Sequence, residues 1–307
     1  MIMTTRPATP YALIVGWDGV RHDLLPELEL PTLSAVAEQG FLIGTTMPEE
    51  SEAKTSTAPG WSTNLTGVWP AKHGITDNEP MPNHFDRYPH LLQRLLTDQP
   101  DRQTLACVCA AMLGSTKGPG PILAGGVSTL IFHDVRTHPL GPIGRDPLVA
   151  EDARHQLRHR DYALSFVYFA STDKTAHLEG VGPRYRDAIR QEDSWTGALI
   201  DAVRRRPTFS DEDWLVVITT DHGHRDEGGH GGNSWQERQS FLAMARLDAD
   251  LGFTPPAAVS NVDLAPTVLR HLGVTVEADW DLDGVALQQP STTVDAGFAE
   301  PRLRPGC

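Results

Sequence analysis

Four side chains of metal-binding type fall within ten residues of this sequence: Asp221, His222, His224 and His230. They follow the apolar, β-branched run Val216-Val217-Ile218, which reads as a buried strand. Glycines surround the last of them, in Gly228-Gly229-His230-Gly231-Gly232, and let a backbone fold tightly round a site. A carboxylate and imidazoles just past the end of a strand stand where an open α/β sheet places its chemistry. They are borderline donors suited to zinc or similar divalent ions. The bland alternative is a solvated loop with incidental histidines, and so dense a donor set directly after a core strand argues against it.

Two further strand-like runs end in the same way. Tyr11 to Gly16 (YALIVG) leads to Asp18, and Ala163 to Phe169 (ALSFVYF) leads to Asp173 and His177. Asp18 alone reads as a turn cap. Asp173 and His177 stand four apart, so a helical or turn-like segment lets them converge on one ion. Each site has an ordinary structural explanation by itself; three at the ends of three strands do not.

Hydroxyl chemistry is concentrated at Thr55-Ser56-Thr57, ahead of Ala58-Pro59. Trp61, Leu65 and Val68 recur at helical spacing, and Pro59 suits a first helical turn. Thr57 therefore falls at a helix entrance, as an N-cap or as a nucleophile beside free N–H groups that favour an anion. Asn78 follows in HGITDN as an amide donor.

The elements that must position these residues alternate. Strands are expected over Tyr11–Gly16, Thr104–Ala110, Ala163–Phe169, Trp214–Thr220 and Phe241–Ala245. Helices are expected over Pro31–Gly40, after Pro59, around Leu91–Leu96, over Glu151–Arg158 and Tyr185–Arg205, and from Asn261 to Gly273. This predicts an α/β fold with a mainly parallel central sheet flanked by helices on both faces, as a single catalytic domain over residues 1–307. The Gly/Pro-rich stretch 112–146 is expected to be an irregular loop region or small cap over the sheet edge or mouth, and the tail after about Gln289 to be weakly ordered.

Composition narrows the function classes. The chain has 307 residues, 39% hydrophobic and 21% charged, with a formal net charge of −14. Such acidity argues against a nucleic-acid polymer as partner but not against a phosphorylated small molecule, since bound cations invert the local potential. No run approaches the roughly 20 apolar residues of a membrane span, and the N-terminal apolar run is too short for a signal peptide. Of the three cysteines, Cys107, Cys109 and Cys307, the first two sit in an apolar stretch and read as reduced core residues. The expectation is a cytoplasmic protein without a membrane partner.

In order, WDGVR at 17–21, Thr57 before Pro59 with LTGVWPAKHGI at 65–75, D-x-x-x-H at 173–177, DHG at 221–223, GGHGG at 228–232 and DLAPTVLRHLG at 263–273 resemble the alkaline phosphatase superfamily. The nearest branch is the type I phosphodiesterase/nucleotide pyrophosphatase group, with phosphonoacetate hydrolase a near relative. The resemblance runs from about Tyr11 to about Leu287. It implies two divalent ions, usually zinc, with manganese or iron as alternatives: one held by Asp173, His177 and His230, the other by Asp18, Thr57, Asp221 and His222. It further implies Thr57 as nucleophile through a phospho-threonine intermediate, and Asn78 as transition-state donor. Two positions depart from the pattern. Gly60 stands where the phosphodiesterases often carry asparagine, and His224 competes with His230, which is preferred for its distance from DHG and its glycine surroundings.

The implied activity is hydrolysis of a phosphodiester or nucleotide-type ester. A phosphomonoesterase or phosphonate hydrolase with the same metal core is the alternative, and a non-catalytic metal-binding member the remote one. Arg21, Lys54, Lys72 and Lys174 are candidates to meet a monoester's extra charge; Trp17, Trp61 and Tyr88 are candidates for an aromatic slot. A threonine at the nucleophile position argues against a sulfatase.

Overall fold

The computed structural model describes residues 8–49, 51–123 and 125–287. The chain runs β1 (Thr9–Trp17), α1 (Pro31–Gln39), β2 (Phe41–Thr46), α2 (Thr57–Thr66), α3 (Pro70–His73), α4 (Leu91–Asp98), β3 (Thr104–Val108) and α5 (Ala111–Gly114). It continues through β4 (Thr129–Phe132), α6 (Pro142–His159), β5 (Leu164–Phe169), α7 (Ser171–Glu179), α8 (Pro183–Arg204), β6 (Glu212–Thr219), α9 (Trp235–Arg238), β7 (Gln239–Arg246) and α10 (Leu264–His271). The strands form one seven-stranded sheet in the order β2-β7-β6-β1-β5-β3-β4. Only β7 opposes the rest, pairing antiparallel with β2 and β6. The expected mainly parallel α/β architecture is the one observed.

The central strands are buried along nearly their whole length because helices cover both faces. Helices α1, α6 and α8 pack on one side, against β7, β5 and β1, while α10 packs on β1 and joins α2 and α4 on the other. Adjacent residues of β1 show the two faces. Gly16 lies against the Trp61 ring of α2, and the Trp17 indole N–H donates to Thr196 Oγ1 of α8 at 3.0 Å. Helix α2 is buried at all ten positions, which suits its content of Trp61, Leu65 and small residues.

The Gly/Pro-rich stretch is less irregular than expected. It supplies the edge strand β4, paired parallel to β3, and the first turn of α6, which starts at Pro142. Strand β2 is also an addition. The tail expected to be weakly ordered, and Cys307, lie outside the described residues. Cys107 and Cys109 are buried free thiols.

Candidate metal and catalytic centre

Strands β6, β1 and β5 are neighbours in the sheet and run parallel, with Trp17 level with Phe169 and Gly16 level with Thr219. Their C-terminal ends therefore lie side by side. Asp18 follows β1, Asp221 and His222 follow β6, and α7 carries Asp173 and His177 beyond β5. The three sequence sites come together, as two clusters of donor atoms: Asp18, Asp221 and His222 in one; Asp173, His177, His224 and His230 in the other. The His222 and His230 rings stack with centroids 4.0 Å apart, so the clusters are contiguous.

The first of these clusters is the floor. Asp18, Asp221 and His222 are fully buried. His222 Nε2 lies 3.5 Å from Asp18 Oδ1 and 3.3 Å from Asp221 Oδ2. None of these three atoms has a hydrogen-bond partner among the described residues. Their other atoms are committed. Asp18 Oδ2 accepts from the Trp61 indole at 3.3 Å and from the Tyr168 hydroxyl; Asp221 Oδ1 accepts from Gly19 N–H at 3.2 Å. His222 Nδ1 donates to Gly223 O at 3.0 Å, which places the proton on Nδ1 and the lone pair on Nε2. Buried polar atoms are almost always satisfied, so three unpartnered donors facing one another fit a bound cation.

Electrostatics point the same way. Burial, followed by the negative charge of Asp173, pushes Asp18 up to about 7. Burial and then Asp18 hold Asp221 well above the usual carboxylate range. Burial and the neighbouring imidazoles of His230 and His224 hold His222 well below the usual histidine value, so it stays neutral. Two buried carboxylates resist ionising together unless a cation is present.

The second cluster is nearer the mouth, with the His177 side chain 41% exposed. Asp173 Oδ1 lies 3.0 Å from His224 Nε2 and 3.4 Å from each of His177 Nε2 and His230 Nε2. Burial opposes ionisation of Asp173, but the three imidazoles outweigh it and hold the carboxyl well below its usual range. His230 Nδ1 donates to Thr55 O at 2.7 Å, presenting Nε2 to the cluster as His222 does. His224 and His230 are not exclusive alternatives: both reach Asp173.

The residues flanking Thr57 are tied to both clusters. On one side Thr55 is tied to the glycine loop, through His230 and through Gly231 N–H donating to Thr55 Oγ1 at 3.0 Å. On the other, a Cβ at Gly60 would lie 2.6 Å from the Cβ of Asp221, and Trp61 bonds Asp18. The departure at Gly60 thus has a steric reason: α2 approaches Asp221 too closely for a side chain. The N-cap falls to Ser56, without a side-chain cap bond, and Thr57 is the first helical residue. Asn78 Oδ1 accepts from Ala58 N–H at 2.8 Å, which orients its amide at the same helix end.

Several supporting residues were not visible as such in the sequence. Asp146 of α6 accepts from Ala170 N–H at 2.9 Å and from Ser171 N–H and Oγ at 2.7 and 2.6 Å; Glu192 of α8 accepts from Thr172 N–H at 2.9 Å. Two buried carboxylates thus hold the start of the helix that carries Asp173 and His177. Burial pushes Asp146 up to about 6. The native state binds this proton more tightly than the unfolded chain, whose carboxyl titrates near 3.8. The stability it contributes is therefore full below about pH 4 and lost as pH rises through about 6. Asp146→Asn should flatten that part of the stability–pH profile, measured as urea midpoints between pH 4 and 7; an unchanged slope would remove the assignment.

The pocket candidates sort differently from expectation. Arg21 is held by Asp23 and Asp226, Lys72 by Asp281 and Asp283, and Lys54 by Asp77 at 2.5 Å. Trp17 and Trp61 are fully buried, and the Tyr88 hydroxyl donates to Asp281 at 3.1 Å. The two buried tryptophans offer no open slot. Lys174 remains on α7 beside Asp173.

Residues 12–101 and 133–263 match the profile of the type I phosphodiesterase / nucleotide pyrophosphatase family. The chain belongs to this family. Within the alkaline phosphatase superfamily it shares its fold with a phosphonate monoester hydrolase from Silicibacter pomeroyi (13% identical, TM-score 0.64, covering 92% of this chain and 78% of that one). It shares it also with murine ectonucleotide pyrophosphatase / phosphodiesterase 5, solved as an inactive threonine-to-alanine variant in complex with AMP (14% identical, TM-score 0.58, covering 87% and 96%). A curated relative, the GPI ethanolamine phosphate transferase 3 of Schizosaccharomyces pombe, is 27% identical over 135 residues, 42% of this chain and 14% of that protein. The chain thus corresponds to a small part of that relative. Family membership supports a phosphoester hydrolase or transferase. Among the described residues no helix is long and apolar enough to cross a membrane.

Proposed function

We propose that this phosphodiesterase-family protein is a two-metal phosphodiesterase of nucleotide-type or similar small esters, acting through a phospho-threonine on Thr57. The observation that carries the reading is the trio of unpartnered buried donors, Asp18 Oδ1, Asp221 Oδ2 and His222 Nε2, beside the helix end where Thr57 stands. Two divalent ions, one at Asp173, His177 and His230 and one at Asp18, Thr57, Asp221 and His222, would supply Lewis acidity for the Thr57 hydroxyl and the phosphoryl oxygens. Thr57 Oγ1 attacks phosphorus in line, the ester bond on the opposite side breaks, and the leaving alcohol carries away the hydroxyl proton. Water then cleaves the Thr57–phosphorus bond and restores the hydroxyl. The Asn78 amide N–H, oriented by the bond from Ala58 N–H to its Oδ1, and the Thr57 N–H at the start of α2 would meet the developing negative charge. A preorganised donor of this kind contributes about 2.7–4 kcal/mol.

A diester is favoured over a monoester because three of the four cationic candidates, Arg21, Lys72 and Lys54, are matched by carboxylates, which leaves Lys174 of α7 as the candidate to meet a second phosphoryl charge. The threonine-to-alanine variant of the murine relative, described as inactive, supports a threonine nucleophile. The name of the yeast relative supports a second reading, in which an acceptor alcohol replaces water in the second step. The buried thiols of Cys107 and Cys109 suit the reducing cytoplasm.

The test is turnover of paired nitrophenyl diester and monoester substrates with added zinc or manganese. Diester turnover at least tenfold above monoester supports the reading. No turnover of either ester with either metal overturns it.

A further inference from the structure

The histidine-rich cluster holds one donor more than the proposed function uses. Three Nε2 atoms crowd Asp173 Oδ1, with His224 the nearest at 3.0 Å. One carboxylate oxygen has two lone pairs and cannot satisfy three N–H groups. The Nε2 atoms of His177 and His230 lie 3.0 Å apart, so one of them must present a lone pair. The Nδ1 proton of His230 is already given to Thr55 O, so in the neutral ring its Nε2 is that lone pair. Without an ion, His177 Nε2–H can close on the His230 lone pair and His224 Nε2–H on Asp173 Oδ1; the same four side chains bring a ligand atom each within 4.8 Å of one another, a convergence that also suits a single cation.

His224 is built into this cluster rather than packed beside it. It is fully buried, and its Nδ1 has no hydrogen-bond partner among the described residues. Its ring centroid lies 5.1 Å from that of His177 and 5.0 Å from that of His230. Room for it is made by Gly19, at φ +72°, where a Cβ would come within 2.6 Å of His224 Nε2.

We propose that His224 is a fourth protein donor to the ion at Asp173, and that this ion is one that takes five or six ligands, such as manganese(II), rather than four-coordinate zinc. The proposal rests on the two-metal reading above. Three imidazoles and a carboxylate fill a tetrahedral zinc and leave no position for a phosphoryl oxygen. An ion of octahedral habit keeps two positions open.

The test is metal binding to metal-stripped full-length protein, by equilibrium dialysis with manganese(II) alone, for wild type, His224→Ala and His224→Gln, with thermal melts to confirm folding. Wild type should bind two ions. Both variants should keep one and bind the other more than about 100-fold more weakly, beyond the effect of a residue that only orients a ligand. His224→Gln retains an N–H for Asp173, so near-wild-type affinity in that variant would overturn the donor role, as would two tightly bound ions in His224→Ala. If His224→Ala fails to melt cooperatively, His224→Gln decides. The ratio of zinc-supported to manganese-supported diester turnover should rise at least tenfold in the variants; an unchanged ratio would overturn the claim about the ion. A wild type that binds no manganese or zinc would instead sink the two-metal reading itself.

Discussion

Thr57→Ala should lower turnover by on the order of 10⁴–10⁶-fold, as loss of a catalytic nucleophile does, and leave the fold in place. The cost to stability is small because Thr57 is not the cap of α2. Ser56 occupies that position, and Asn78 satisfies Ala58 N–H from across the loop. Thr57→Ser should keep measurable activity, since the hydroxyl remains. Ser56 is the nearest rival, with a buried Oγ that has no partner among the described residues. Rapid acid quench and mapping of the phosphorylated residue separates the two. Phosphate on Ser56, or a Thr57→Ala enzyme with near-normal rates, would move the first step elsewhere.

Asp221→Asn should lose one bound ion and with it most activity. Its Oδ1 is held by Gly19 N–H, and its buried Oδ2 faces Asp18 and His222 with no other partner. An amide at that position removes the charge that favours a cation and presents N–H groups to Asp18 Oδ1. The effect on stability should have opposite signs in the two states. Without metal, neutralising Asp221 relieves its repulsion with Asp18, so the metal-free variant should melt above the metal-free wild type. With metal, a 100-fold loss of affinity removes about 2.7 kcal/mol of linked stability, so the rise in melting temperature on adding metal should shrink. A variant with both ions and full activity would show that Asp221 is not a ligand.

The parts legible in the sequence are those whose burial is symmetric. Strands β1, β5 and β6 are covered on both faces and announce themselves as unbroken apolar runs. The edge strands β2 and β4 have one neighbour each and mixed burial, so FLIGTT and TLIF carry no clear period. The start of α6 was hidden by Pro142 and Pro147, both accommodated in the helix. Site residues were legible by donor type, since aspartates and histidines after strands are recognisable without knowing their contacts. Partners were not. Arg21 looked available for substrate because Asp226, 205 positions away, is invisible as its neighbour. Asp146 falls in the stretch expected to be irregular and Glu192 in a long helix, and only tertiary packing places them at the start of α7.

The close approach at Gly60 makes the reach of the nucleophile a matter of backbone gauge rather than of side-chain adjustment. With no atoms beyond Cα between α2 and Asp221, nothing in that gap can rotate or repack when a neighbour changes size. Any substitution there, including the asparagine common among the phosphodiesterases, has to lever the helix off the strand end and carry Thr57 with it. Position 60 should thus be as intolerant of change as the reactive residue, although it offers no group to metal or substrate. For a redesigner of this protein, new specificity is better sought at the solvent-facing rim around His177, where side chains have room to move.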